Sequence, residues 1–144
     1  MDSFSAKNHG KEERNLIKEL GLDRRKIKYV SEDFAPDFMA LLLNACDIYA
    51  APSRLEGFGM IQVEAMACGT PVVSINVGGP RDTIVHEKTG FLVEYNNEAE
   101  ILDAVKKIYI KPELRKVFSE NAKATLVKFD KETMMVKTIN VLQI

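Results

Sequence analysis

The chain has 144 residues, of which 46% are hydrophobic and 28% charged, a composition that predicts one globular domain rather than a disordered chain. Its formal net charge is −1 with both signs interspersed, so we expect no nucleic-acid partner. No run of about 18 apolar residues is present, and residues 1–10 lack the apolar centre of a signal peptide. Cys46 and Cys68 fit no metal-binding spacing, so we expect a reduced, cytoplasmic protein.

Strand-like and helix-like patterns alternate along the chain. The predicted strands are Lys26–Val30, Ile48–Ala51, Pro71–Val77 and Gly90–Val93. The predicted helices are Lys11–Leu20, Phe38–Ala45 after Pro36, Met60–Ala67, Arg81–His86, Ala99–Ile110, Pro112–Lys128 and Lys131–Leu142. This order predicts an α/β fold with a Rossmann-like, doubly wound parallel sheet over residues 11–97, followed by C-terminal helices over residues 98–144.

Three local patterns sharpen this prediction. Asn97 and Glu100 are spaced as a capping pair at the start of a helix. The aromatic residues Phe91, Tyr109 and Phe118 are expected in the core. The loops at 53–59, 76–80 and 94–97 each follow a strand, so they should lie together at the carboxyl edge of the sheet, where ligands bind in such folds.

The segment from Pro52 to Pro71 places a glycine turn between two carboxylates, Glu56 and Glu64. A strand precedes Gly57 and Gly59 and a helix follows them, and a helix N-terminus offers unpaired N–H groups to an anion. Carboxylates accept hydrogen bonds from hydroxyl groups. Since a helix rises only about 7–8 Å over five residues, both carboxylates could border one extended ligand. A nucleotide sugar carries both kinds of group.

Plainer explanations exist for each of these residues. Glu56 could be a surface acid, but Glu64 stands in an otherwise apolar helix and needs a partner or a cavity mouth. Gln62 occupies the position where a dinucleotide-binding fingerprint requires glycine, and no P-loop lysine follows the turn. His9 and His86 have no catalytic or metal spacing and are expected at the surface. Gly78 and Gly79 predict a tight turn, which faces the ligand only if the fold brings it there.

The run from Glu56 through Val73 resembles the signature of two carboxylates seven residues apart in retaining glycosyltransferases of the GT-B fold, glycosyltransferase family four, also called group 1. Gly78–Pro80 and Lys88–Val93 follow in the order that the family shows. Leu114–Arg115, Asn121–Ala122 and Phe129 resemble its C-terminal helices. The resemblance covers roughly residue 11 to the C-terminus.

The resemblance implies a role for each matched residue. Glu56, as the catalytic residue, would orient the donor sugar, and Glu64 would hold the ribose hydroxyls. The residues facing the sugar and diphosphate would be Gly57, Phe58, Gly59, Met60 and Ile61, with Gly78 and Gly79 as a possible ligand-facing loop. The resemblance also implies that no metal or other cofactor is needed, because cations and a helix N-terminus stabilise the diphosphate.

The chain departs from the family pattern at its N-terminal side. The family's acceptor domain, two further strands and the cationic pair that neutralises the diphosphate have no counterpart in residues 1–10. In the family's strand order, those two strands would lie between Lys26–Val30 and Ile48–Ala51, so their absence would leave unpaired edges. We therefore expect a partial domain, either a truncated chain or one half of a split enzyme. Its isolated form should be poorly stable, repaired as a swapped homodimer, or rearranged so that the first strand packs elsewhere.

Three functions stay open from the sequence. The first is the donor-binding part of a hexosyltransferase acting on a glycan or lipid acceptor, inactive alone. The second is a non-catalytic module that binds a nucleotide sugar or assembles with a second subunit. The third is a remnant that binds nothing. Any membrane contact would occur through the missing half.

Overall fold

The computed structural model describes residues 14–28 and 35–142. The chain divides into two compact units, Met1–Asp33 and Phe34–Ile144. In the first unit residues 14–19 are helical, and this helix ends at Gly21, whose φ is +63°. The Leu22 N–H donates to Ile17 O and the Gly21 N–H to Lys18 O, which is the Schellman arrangement. The predicted helix stop at Gly21 is therefore confirmed, and residues 11–13 of that helix lie outside the described residues.

The predicted strand Lys26–Val30 is wrong where the structure describes it. Arg24–Lys26 forms a 3-10 turn, because the Asp23 side chain accepts a hydrogen bond from the Arg25 N–H at 3.0 Å. Ile27 has extended backbone angles but pairs with no described strand. Residues 29–30 of that prediction lie outside the described residues.

The second unit is built on a three-stranded parallel sheet in the order β1–β2–β3. The strands are β1 (Tyr49–Ala51), β2 (Val72–Ile75) and β3 (Gly90–Val93). Register pairs Tyr49 with Val72 on one side of β2, and Val72 with Gly90 on the other. Among the described residues β1 pairs only with β2. The expected consequences of an unpaired edge, including a swapped dimer, stay predictions.

Helices cover both faces of this sheet. They are α1 (Pro36–Ala45), α2 (Met60–Ala67), α3 (Pro80–Thr83), α4 (Glu98–Ile110), α5 (Pro112–Leu126) and α6 (Lys131–Leu142). A 3-10 turn, Val127–Phe129, joins α5 to α6. The predicted α/β fold with a parallel sheet is thus confirmed, with shorter strands than expected. The predicted helix Arg81–His86 is wrong at its end, since α3 stops at Thr83 and His86 bridges to Gly90.

Two hydrophobic clusters lie on opposite faces of the sheet because successive strand residues point to opposite sides. Val73 and Ile75 of β2 pack in the first cluster with residues of β3, α4 and α5, including Phe91 and Phe118. Val72 packs in the second cluster with residues of α1, α2 and α5. Phe91 and Phe118 are in the core as predicted, but Tyr109 is 73% exposed and that prediction is wrong.

The carboxyl ends of the strands meet at one edge. Asn76, after β2, donates from its side chain to Glu94 Oε1, after β3, at 2.9 Å. The Glu100 N–H donates to Asn97 Oδ1 at 3.2 Å, so the predicted capping pair at the start of α4 is confirmed. Arg115 of α5 forms an ion pair with Asp47, just before β1. The first two contacts fix loops at the carboxyl edge of the sheet, whereas the Arg115–Asp47 pair lies at the amino end of β1.

Candidate functional site

The first turn of α2 carries unpaired hydrogen-bond donors. Gly59 is the N-cap residue with φ +80° and ψ 52°, a left-handed conformation that favours glycine. Its carbonyl accepts from the N–H groups of Gln62 and Val63, both at 3.1 Å. The N–H groups of residues 58–61 have no acceptor in the part of the chain that the structure describes. Four such donors at the positive end of a helix suit an anion.

An open pocket of about 310 Å³ lies against this helix start. Its lining residues are Tyr49, Glu56, Phe58, Gly59, Met60, Ile61 and Gln62. Five residues of the predicted donor site therefore share one pocket: Glu56, Phe58, Gly59, Met60 and Ile61. The pocket combines a carboxylate, which accepts hydrogen bonds, with backbone donors for a negative group.

Glu64 lies on a different surface. It is exposed and lines a mostly apolar groove of about 440 Å³ between α1 and α2. The other lining residues are Pro36, Met39, Ala40, Leu43, Ala67 and Cys68. The expectation that Glu64 lies at a cavity mouth agrees with this position. A ligand that touches both carboxylates has to extend from the pocket into the groove.

Tyr49 is close enough to Glu56 and Glu64 to feel the charge of both carboxylates. Its side chain is half-buried and lines the pocket with Glu56. Burial raises the pKa of the Tyr49 phenol, and the negative charges of Glu56 and Glu64 raise it further. The protonated hydroxyl is able to donate a hydrogen bond to a ligand in the pocket. Sequence reasoning missed Tyr49, because a tyrosine in a short strand carries no signal of its position in a site.

Gly78 and Gly79 pack directly against the backbone of the glycine turn at residues 56–58. The Gly79 N–H donates to Gly57 O at 2.6 Å. A Cβ on Gly78 would overlap Glu56 O, and one on Gly79 would overlap Gly57 O. Neither glycine lines the pocket described above. Their observed contacts are thus with the backbone of the site loop, while their expected ligand-facing role stays a prediction.

The chain after α5 packs on the same loop. The rings of Phe58 and Phe129 meet edge to face with centroids 5.5 Å apart. Lys128 lies over the Phe129 ring at 4.7 Å and donates to Asp82 O, in α3, at 2.9 Å. Phe129 therefore packs against Phe58 of the site loop. The sequence match at Phe129 indicated a family likeness but not this contact.

Gln62 is a second residue that sequence reasoning missed. It is 1% exposed, and its Oε1 atom is buried without a hydrogen-bond partner among the described residues. Leaving a buried polar group unpaired costs about 1–3 kcal/mol. The sequence showed only that Gln62 is not the glycine of a dinucleotide fingerprint.

The basic side chains of Arg81 and His86 are hydrogen-bonded within the protein. The Arg81 guanidinium is hydrogen-bonded to Asn76 O and Oδ1, at 2.6–3.1 Å. His86 is exposed, as expected, and its Nδ1 accepts from the Leu92 N–H at 3.1 Å.

Over the described ranges no group of three or more His, Cys, Asp or Glu side chains is placed to hold a metal ion. In the same ranges no helix has the length and apolar character needed to cross a membrane.

Comparison with known families agrees with this geometry. The family model described as glycosyl transferases group 1 matches residues 6–125. This chain belongs to that family. It is 38% identical over 96 residues to an uncharacterized glycosyltransferase of Methanocaldococcus jannaschii, covering 67% of this chain and 27% of the relative. It is 36% identical over 118 residues to the D-inositol 3-phosphate glycosyltransferase of Saccharomonospora viridis, covering 80% and 26%.

Solved group 1 and GT-B structures share the fold. The Anabaena protein HepE in complex with UDP superposes with a TM-score of 0.85 at 30% identity, covering 97% of this chain and 38% of HepE. HepE in complex with UDP-glucose gives a TM-score of 0.81 at 29% identity, with the same coverage. The chain thus spans about a quarter of the length of the curated relatives above and under two fifths of HepE.

The close packing at Gly78 predicts a large stability effect. Gly78→Ala should lower the free energy of unfolding by about 2 kcal/mol or more, because it adds a Cβ at φ +60° against Glu56 O. Gly57→Ala is the matched control, since a Cβ there meets nothing within 4 Å. Urea denaturation of both variants measures the difference. Equal stability of the two would show that the glycine contact does not hold the loop.

The raised pKa of Tyr49 predicts a pH dependence. Above pH 10, the ordinary value, the unfolded tyrosine ionises while the folded one keeps its proton, so stability falls as pH rises through the folded pKa. Tyr49→Phe removes this ionisation and should lose less stability than the wild type between pH 9 and about pH 11. Denaturation midpoints across this range provide the measurement. Parallel pH profiles for the two proteins would contradict the assigned position of Tyr49.

Proposed function

We propose that this chain is the donor-binding part of a retaining glycosyltransferase, which moves a hexosyl group from a nucleoside diphosphate sugar to an acceptor such as a glycan or lipid. The observation that carries the proposal is the pocket at the start of α2. There Glu56 shares a pocket with residues 58–61, whose four backbone N–H groups have no acceptor among the described residues. This combination matches a ligand with both hydroxyl groups and a diphosphate.

The N-terminus of α2 would act on the leaving group. Glycosyl transfer breaks the bond between the anomeric carbon and a diphosphate oxygen, so negative charge grows on the diphosphate. The acceptor hydroxyl oxygen bonds to that carbon, and its proton passes to the departing diphosphate. Preorganised N–H donors and the positive end of a helix stabilise such charge. The proposed mechanism needs no metal ion, because these donors and cations supplied elsewhere in the full enzyme meet the charge.

The two carboxylates would bind different parts of the donor. Glu56, in the pocket, would orient the hydroxyls of the sugar. Glu64, in the groove between α1 and α2, would hold the ribose, and the apolar groove walls give a nucleobase a surface for packing. Tyr49 lies near both carboxylates, so its hydroxyl is placed to donate to the ligand where it passes from pocket to groove.

The comparisons support a nucleotide-sugar donor. HepE, which superposes on 97% of this chain, was solved with UDP and with UDP-glucose. Because this chain spans only 38% of HepE, we propose that an N-terminal acceptor domain completes the enzyme. Closure of two domains around the donor would exclude water from the reaction. The free cysteines Cys46 and Cys68 support function in a reducing compartment such as the cytoplasm.

Glu64→Gln tests the donor site. UDP should bind about tenfold more weakly to this variant, since hydrogen bonds to a charged acceptor contribute about 1.5–3 kcal/mol, while pyrophosphate binding stays unchanged. Isothermal titration calorimetry measures both ligands. Glu120→Gln is the control, because Glu120 is an exposed residue of α5 paired only with Lys116 among the described residues. Equal UDP affinity for wild type and Glu64→Gln would exclude the ribose role.

The purified 144-residue chain should transfer no sugar by itself. A radiolabelled UDP-glucose assay should show no turnover above buffer, and transfer should appear when an N-terminal half is supplied. Turnover by the chain alone would refute the proposed division of the enzyme.

The second candidate is a binding or assembly module without catalysis, in which the same pocket at the start of α2 would hold the nucleotide sugar. Such a module would bind UDP but gain no activity when the N-terminal half is added. The third possibility, a remnant, would bind no nucleotide at all.

A further inference from the structure

Gln62 is a buried amide whose polar atoms have no partner among the described residues. It lies in the first turn of α2, is 1% exposed, and lines the pocket that contains Glu56. Its Oε1 atom is buried without a hydrogen-bond partner, and its Nε2 atom makes no hydrogen bond with the described residues. Native proteins pair nearly all buried polar atoms, so an unpaired amide in a pocket points to a missing partner.

The amide is held against the N-cap glycine. A Cβ on Gly59 would overlap Gln62 Oε1 and would lie 2.9 Å from its Cδ atom. A larger residue at position 59 would have to displace this amide, and the left-handed backbone of Gly59 independently favours glycine. A glutamine at the third helical position ordinarily bonds back to the N-cap N–H, as in a capping box. Here that bond is not made.

Packing alone does not require an amide at this position. A methionine side chain has nearly the same length and would fill the space without an unpaired polar atom. The amide also adds something that the backbone lacks: a side-chain donor beside the N–H groups of residues 58–61. Its oxygen and nitrogen ends are similar in size, and the last side-chain torsion is soft, so the two ends exchange without repacking.

We propose that Gln62 is a donor-recognition residue whose amide turns its Nε2–H group toward the diphosphate bound at the start of α2. This inference rests on the proposed function. In the structure the carbonyl end of the amide lies beside Gly59, in the turn that carries the N–H groups of residues 58–61. An arriving anion repels that oxygen and attracts the amide hydrogens. The turn moves Oε1 toward the pocket, where water or a sugar hydroxyl donates to it, so both ends of the amide become paired.

Gln62→Met separates this role from a structural one. The variant should melt about 3 °C or more above the wild type without ligand, because the unpaired buried atom is gone. It should bind UDP and pyrophosphate about tenfold more weakly, because a hydrogen bond to a charged group is lost. Its affinity for uridine, which has no phosphate, should not change. A merely structural glutamine would not shift stability and anion affinity in opposite directions.

Gln62→Glu provides the second variant. It keeps the shape but replaces the donor by a negative charge, so UDP affinity should fall by more than in Gln62→Met while circular dichroism shows a folded protein. Calorimetry with UDP, pyrophosphate and uridine covers all arms. If wild type and Gln62→Met bind UDP equally, the role of Gln62 is refuted and the proposed function stands. If wild type binds neither UDP nor pyrophosphate, both are refuted.

Discussion

The hydrogen bond from the Gly79 N–H to Gly57 O, at 2.6 Å, joins the loops that follow β1 and β2. It forms because Gly78 and Gly79 present no side chain to the backbone of Glu56 and Gly57. The turn before α2 is thereby fixed from the sheet side, and the Phe58–Phe129 contact fixes it from the C-terminal side. A helix start held in this way keeps its N–H groups in place without a ligand, which is the requirement for an anion site that costs little to organise.

The site concentrates features that a purely structural fold avoids. Gln62 has a buried oxygen without a partner among the described residues, and the half-buried Tyr49 lies near two negative carboxylates. The first leaves a polar atom unpaired, and the second brings a phenol close to negative charge, which raises its pKa. Such exceptions gather at binding sites, because the ligand supplies the missing partners. Their position around one helix N-terminus is the physical basis for the proposed donor site.

The sequence predicted the fold, and the strand, turn and helix start around the candidate site, because these depend on local patterns. Glycine at 57 and 59, the apolar strand before them and the helix after them suffice to predict a strand, a turn and an anion-binding helix start. Tyr49 and Gln62 could not be found in this way, since their importance depends on burial and on contacts that only the folded chain creates. The strand predicted at Lys26–Val30 does not form over the described residues 26–28, because the Asp23 side chain caps a 3-10 turn at Arg24–Lys26. The prediction that Tyr109 is buried was wrong, because an aromatic residue at the edge of a helix face is not always covered by a neighbouring element.

The central claim is that the N–H groups at the start of α2 bind the diphosphate. Two-dimensional NMR of the ¹⁵N-labelled protein, titrated with pyrophosphate, tests it most directly because each backbone amide is observed separately. The account predicts that the largest shift changes fall on Phe58, Gly59, Met60 and Ile61, with the Gln62 side-chain amide following at the same ligand concentration. Saturable changes centred on other residues, with these amides unmoved, would contradict it.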